Sequence, residues 1–303
     1  MLLLILPFLI LPELSPHHTI RATIARLRRR HRLTMDLLAL LFLAILQGLT
    51  EFLPISSSGH LLLVPLVTGW DDQGLVFDLA VHLGSLAAVV LYFRQELCRV
   101  SRDVIDSIVH QRMSEDAKIG WGVLLGTIPV GIAGLTFKPM IETTMRQPEL
   151  AAWVIALALI GFGLLLGWAD WRNRGQRSER QITWTDIAVI GCAQAIALIP
   201  GTSRSGITIT AALFMGFSRQ AAARFSFLLS IPVTALACGL QISEIALGTI
   251  EVNYGELFLA AVVSGIAAYA CIHWFLKLLK RFGMQPFVAY RVVLGLLILW
   301  LVV

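Results

Sequence analysis

The chemistry-bearing side chains of this chain lie in two stretches of otherwise apolar sequence, Gln47 to His60 (QGLTEFLPISSSGH) and Gln194 to Gly206 (QAIALIPGTSRSG). Apolar surroundings offer no water to a charged or hydroxylated group, so Glu51, Ser56, Ser57, Ser58, His60 and Arg204 are costly there and point to function. Gln47 and Glu51 stand four apart and share one face of a helix leading to Pro54. An amide oxygen and a carboxylate so placed can ligate a hard divalent cation, Mg²⁺ or Ca²⁺, with substrate oxygens and water completing the shell. Alternatively Gln47 caps the backbone and Glu51 bonds a serine. The Ser56-Ser57-Ser58-Gly59 turn restarts a helix, whose N-terminus favours negative charge, so phosphate is the natural guest of its amides and hydroxyls. His60 can serve as general acid/base or accept a phosphoryl group, or Ser57 can be the nucleophile with His60 as its base. In the second stretch Arg204, between Ser203 and Ser205, offers a fork for two phosphate oxygens or a partner for Glu51, and Thr208 adds a hydroxyl. A cation site, amide donors, an arginine clamp and a nucleophile with a base are together what phosphoryl transfer requires.

The two stretches echo each other. Laying Ser56-Ser57-Ser58-Gly59 on Ser203-Arg204-Ser205-Gly206 shifts every position by 147, and the same shift carries Gln47 onto Gln194 and Gly69 onto Gly216. Weak symmetry between halves, with Gly/Pro-interrupted apolar segments at matching places, is the sign of a membrane repeat whose broken helices build a midplane site.

What must position these residues follows from composition. Of 303 residues, 57% are hydrophobic and 14% charged, against roughly 25% charged in soluble domains. Long apolar runs in such a chain mean a multi-span integral membrane protein and exclude a soluble core. The net charge of +5 does not indicate nucleic acid, because Lys and Arg fall in short connections where they set orientation. Cys98, Cys192, Cys238 and Cys271 show no paired spacing and read as packing residues.

The expected fold is an all-α integral membrane protein: an inverted-topology repeat with six transmembrane helices and two re-entrant helical hairpins. Repeat 1 spans 35–168, with its hairpin at 36–69 and spans at 77–93, 119–137 and 150–168. A cytoplasmic basic loop follows at 169–186. Repeat 2 spans 187–303, with its hairpin at 187–217 and spans at 224–240, 257–274 and 287–303. The connections after Phe93, Trp168 and Trp274 are basic and read as cytoplasmic, whereas those around Asp71-Asp72 and at 241–256 carry acids only. Sides assigned in this way make the first hairpin enter from outside and the second from the cytoplasm, bringing the two turns face to face. Residues 1–34, with six arginines from Arg21 to Arg32 on the wrong side for that topology, read as a disordered or non-native extension before Met35. The rival reading is a lipid-phosphate transporter or flippase, for which inverted repeats are a common plan.

The segments QGLTEFLPISSSGH and PGTSRSGIT, with FSFLLSIP at 225–232, resemble the undecaprenyl-diphosphate phosphatases, also called bacitracin-resistance proteins, from about Met35 to the C-terminus. The resemblance puts that family's E/Q-x-x-x-E pair on Gln47 and Glu51, its serine and histidine on Ser56, Ser57 and His60, and its arginine motif on Ser203, Arg204 and Thr208. Ser58, Gly59 and Ser205 complete the expected substrate-binding set. Gln at position 47 leaves Glu51 as the sole carboxylate, which weakens any cation site. The family implies removal of the terminal phosphate of undecaprenyl diphosphate, which recycles the lipid carrier of peptidoglycan synthesis and confers bacitracin resistance. It further implies a divalent cation, a multi-pass bacterial inner-membrane location and a site open to the periplasm. The implied partners are a polyprenyl diphosphate lipid and membrane lipids, with a homodimer possible and no nucleic acid.

Overall fold

The computed structural model describes residues 37–70, 74–140, 148–246 and 253–302. The readings made for 1–34 and for Asp71-Asp72 lie outside these residues, as do parts of the connections at 138–149 and 241–256. The described chain is helical, and its only β pairing is the isolated bridge of Arg177 with Phe217. In order the helices are α1 (Leu37–Phe52), α2 (Ser57–Thr68), α3 (Gly74–Tyr92), α4 (Arg94–Val109), α5 (Glu115–Met140), α6 (Pro148–Arg172), α7 (Trp184–Ala195), α8 (Arg204–Phe214), α9 (Arg219–Ala246), α10 (Tyr254–Phe282) and α11 (Gln285–Val302).

Among the described residues six helices, α3, α5, α6, α9, α10 and α11, are long and apolar enough to cross a membrane, in agreement with the six expected spans. Their outward faces remain apolar: Ile132, Leu135, Val293 and Trp300 are all more than half exposed, as lipid contact requires. Helix α1, with 16 residues, is about 24 Å long and falls short of roughly 30 Å of hydrocarbon. It is rich in Leu and Ala with no proline until Pro54, and it turns Leu40, Leu43, Ala44 and Gln47 inward at helical spacing.

Small residues let the helices approach without a hydrophobic drive. A Cβ at Gly84 of α3 would lie 2.1 Å from the Ala261 carbonyl oxygen of α10, and next to it Ser85 Oγ meets Ser264 Oγ at 3.2 Å. Gly48 brings α1 onto the same helix, its Cβ position only 2.4 Å from the Ser264 carbonyl oxygen. Helix α7 packs on α5 in a comparable way, where Gly191 faces the Gly126 backbone.

Both interrupted regions share a backbone signature. Ser56 and Ser203 have φ of 72° and 69°, and Gly69 and Gly216 have φ of 70° and 84°, so all four positive angles fall on positions related by the shift of 147. For serine this conformation costs on the order of 1–3 kcal/mol. Each serine recovers part of that cost as a helix cap: Ser56 Oγ accepts from Gly59 N at 3.3 Å and Ser203 Oγ from Gly206 N at 3.2 Å.

One element departs from the sequence reading. The segment after Phe93, read as a basic connection, is the amphipathic helix α4. Ion pairs with its neighbours hold it: Glu96 accepts from Arg224 Nη2 at 2.5 Å, while Arg224 Nε also reaches Glu179 at 2.8 Å, and Arg99 pairs with Asp116 of α5. Burial pushes the Glu96 carboxyl above the usual range, and the Arg224 charge opposes that shift. The basic connection before α7 is likewise neutralised, by Arg177 on Asp186 at 2.5 Å.

Candidate active site

Both turns end in a helix N-terminus. α2 begins at Ser57 and α8 at Arg204, so the partial positive charge of each helix lies at its turn. The turns touch directly, since Ser205 Oγ donates to the Leu53 carbonyl oxygen at 2.9 Å.

Glu51 joins the two stretches. Its Oε1 accepts from Arg204 Nη2 at 2.8 Å, and its Oε2 accepts from Gln47 Nε2 and from Ser57 Oγ, each at 2.9 Å. The Glu51 and Arg204 side chains are 9% and 15% exposed, so the pair is largely desolvated and removing either partner would strand the other. Four of the sequence-derived residues, Gln47, Glu51, Ser57 and Arg204, therefore form one hydrogen-bonded cluster.

Two buried polar atoms of that cluster have no partner among the described residues: Gln47 Oε1 and Arg204 Nη1. Buried polar groups are ordinarily satisfied. An acceptor and a charged donor left open in one hydrogen-bonded cluster suit a ligand with both cationic and anionic parts, such as a phosphate with a divalent cation. No group of three or more His, Cys, Asp and Glu side chains is placed to hold a metal ion among the described residues. A cation here would draw on Gln47 Oε1 and Glu51 and take its other oxygens from substrate and water.

The remaining residues take different places. Ser56 Oγ and Ser203 Oγ lie 3.2 Å from Ser58 Oγ and Ser205 Oγ respectively, the same contact in each turn. The Thr208 hydroxyl turns to the Arg204 carbonyl oxygen at 2.9 Å and to Ser226 Oγ at 2.7 Å, packing α8 on α9. His60 does not bond to Ser57. Its Nδ1 lies 2.7 Å from the Ser56 carbonyl oxygen and its Nε2 2.7 Å from Tyr290 Oη. A carbonyl only accepts, so Nδ1 carries the proton and, in the neutral ring, Nε2 accepts from the tyrosine. The carboxylate in contact with Ser57 is Glu51.

Sequence reasoning passed over Tyr290, Arg291, Ser226 and His82. His82 Nε2 stands 3.9 Å from Glu51 Oε2. Arg291 is fully buried in a membrane-spanning helix, and the rarity of charge inside such a helix is the signal that could have found it.

The family model described as Bacitracin resistance protein BacA matches residues 40–297. Undecaprenyl-diphosphatase 2 of Stutzerimonas stutzeri is 56% identical over 268 residues, which cover 88% of this chain and 98% of that protein. Undecaprenyl-diphosphatase of Thioalkalivibrio sulfidiphilus is 58% identical over 268 residues, 88% of this chain and 99% of that one. The undecaprenyl-diphosphatase of Nitrosococcus oceani is 53% identical over 267 residues, with 88% and 99% covered.

Proposed function

The chain belongs to the Bacitracin resistance protein BacA family, and from that premise we infer that this multi-pass membrane protein is an undecaprenyl-diphosphatase. It hydrolyses undecaprenyl diphosphate to undecaprenyl phosphate and inorganic phosphate. The observation that carries the assignment of roles is the Glu51 carboxylate, held within 2.9 Å of Arg204, Ser57 and Gln47 at once.

In our reading the diphosphate enters between the helix N-termini of α2 and α8, where Ser56, Ser58, Gly59, Ser203 and Ser205 form the walls. Arg204 binds phosphate oxygens through its open Nη1 and, by turning towards them, releases Glu51 Oε1. Ser57 Oγ attacks the terminal phosphorus while its proton passes to Glu51. The new Oγ–P bond replaces the bond to the bridging oxygen, Glu51 passes the serine proton to that departing oxygen, and undecaprenyl monophosphate leaves. Water then attacks the phosphoserine, giving its proton to Glu51, and the serine regains its proton as phosphate departs. His60, held between the Ser56 carbonyl oxygen and Tyr290, lines the start of α2 and fixes the turn that receives the headgroup. A divalent cation bound by Gln47 Oε1, Glu51 and diphosphate oxygens would supply charge neutralisation on the leaving phosphate.

We further read the two broken helix pairs as re-entrant hairpins of opposite insertion, in repeats 35–168 and 187–303. The matched positive angles of Ser56 and Ser203 and the related packing of α1 on α10 and α7 on α5 support this. With basic connections on the cytoplasmic side of an inner membrane, the site opens to the periplasm.

Phosphate release from undecaprenyl or farnesyl diphosphate in detergent micelles tests the reading, because a micelle holds no gradient and a transporter would release nothing. The transporter alternative is not favoured by relatives named as diphosphatases. EDTA is expected to abolish release, and Mg²⁺ or Ca²⁺ to restore it; unchanged activity in EDTA would remove the cation from Gln47 and Glu51. Tyr290→Phe is expected to lower the rate about 5-fold, the worth of one hydrogen bond of about 1 kcal/mol. Wild-type kcat in Tyr290→Phe would show that the tyrosine does not orient His60.

A further inference from the structure

Arg291 lies in the middle of α11 with no exposed surface. No carboxylate lies within ion-pair distance of it among the described residues. Its guanidinium is solvated instead by five main-chain carbonyl oxygens: Leu159 at 3.2 Å, Ala158 at 3.2 Å, Pro54 at 3.4 Å, Gly201 at 3.2 Å and Thr202 at 2.8 Å. Pro54 belongs to the first turn, Gly201 and Thr202 to the second, and Ala158 and Leu159 to α6. One side chain thus ties both turns to one another and to a membrane-spanning helix.

The surroundings are cut to admit it. A Cβ at Gly206 would lie 2.7 Å from Arg291 Nη1, and one at Gly163 would lie 3.2 Å from Arg291 Cβ. A buried charge without a counter-ion is expensive in such a place, and carbonyl dipoles offset that cost without cancelling the charge. Arg204 is balanced by Glu51, so the positive charge of Arg291 remains uncompensated a residue or two from the serines that line the turns.

We propose that Arg291 is a positioning residue for the hydrolysis: it fastens the two turns in register and supplies, from behind them, the standing positive charge that draws the diphosphate into the site. It does not touch substrate. The proposal rests on the diphosphatase reading above and adds to it the group that sets headgroup affinity. Lysine would keep the charge but, as a compact ammonium with three donors, could not hold carbonyls from three segments.

The test compares wild type, Arg291→Met and Arg291→Lys in detergent, reading kcat and KM for farnesyl diphosphate, inhibition by inorganic pyrophosphate, and melting temperature. Release by the wild type establishes the reaction independently; its absence would defeat the diphosphatase reading itself. Given that release, Arg291→Met is expected to raise KM and to weaken pyrophosphate inhibition, each about 10-fold, the size of one charge acting over several ångströms at intermediate dielectric. Arg291→Lys is expected to hold KM within about 3-fold while kcat falls, because charge persists and register does not. Wild-type KM and pyrophosphate inhibition in Arg291→Met, whatever its melting temperature, would overturn the proposal. Should Arg291→Met not fold, Gly163→Ala, which shifts the arginine stem without touching either turn, is expected to raise KM about 3-fold, and an unchanged KM there would overturn it equally.

Discussion

Glu51→Gln is expected to lower phosphate release by about 10³-fold, because the amide keeps the shape of the carboxylate but cannot take the Ser57 proton. General-base loss alone accounts for about 10²–10⁴. A second consequence separates chemistry from folding. The substitution leaves the Arg204 guanidinium largely buried without its counter-charge, and breaking such a pair costs about 3–5 kcal/mol. Glu51→Gln should therefore melt earlier than wild type, whereas the double variant Glu51→Gln/Arg204→Gln, which buries no unpaired charge, should recover much of the stability and none of the activity. Recovery of activity with stability would mean that the pair is scaffolding and that neither residue acts on substrate.

Ser57→Ala is the second large expected loss, also about 10³-fold: in the mechanism proposed above the hydroxyl is the attacking group, and residual turnover falls to what binding and electrostatics alone supply. Residues acting as one unit are non-additive, so Ser57→Ala/Glu51→Gln should be no slower than either single variant. Acid quench of wild type during turnover with labelled substrate should trap phosphate on Ser57. A Ser57→Ala enzyme retaining a tenth of wild-type kcat would instead assign attack to water and leave the serine a hydrogen-bond donor.

Much of this was legible beforehand because membranes impose simple patterns. Six apolar runs became six long helices, since backbone polar groups in hydrocarbon must be satisfied within the segment. Pro54 and Pro200, followed by Ser and Gly, marked the breaks, and the shift of 147 found in letters reappears in backbone angles at Ser56 and Ser203. The meeting of Glu51 with Arg204, 153 positions apart, followed from reading the two turns as facing each other.

Three features were hidden. Helix α4 looked like a connection because its arginines and acids carry no apolar stripe long enough to announce a span, and its order comes from distant partners such as Arg224. The contact of Ser57 with Glu51 was hidden because proximity in sequence pairs the serine with His60, one of the roles open to that histidine. The helix that starts at Ser57 instead turns the imidazole back onto the Ser56 carbonyl and across to Tyr290, which sequence adjacency cannot reveal. Arg291 passed unnoticed as a single polar letter in a long apolar run, although the lack of an acid partner among the described residues is what gives it significance.

The closed Glu51–Arg204 bridge also has a bearing on antibacterial chemistry. A drug candidate that mimics only the anionic headgroup would capture the guanidinium and abandon the carboxylate in a poorly hydrated pocket, losing affinity to desolvation. A zwitterion, pairing a phosphonate for Arg204 with an ammonium for Glu51, would replace both halves of the bridge, and inhibitor screening should start from such scaffolds.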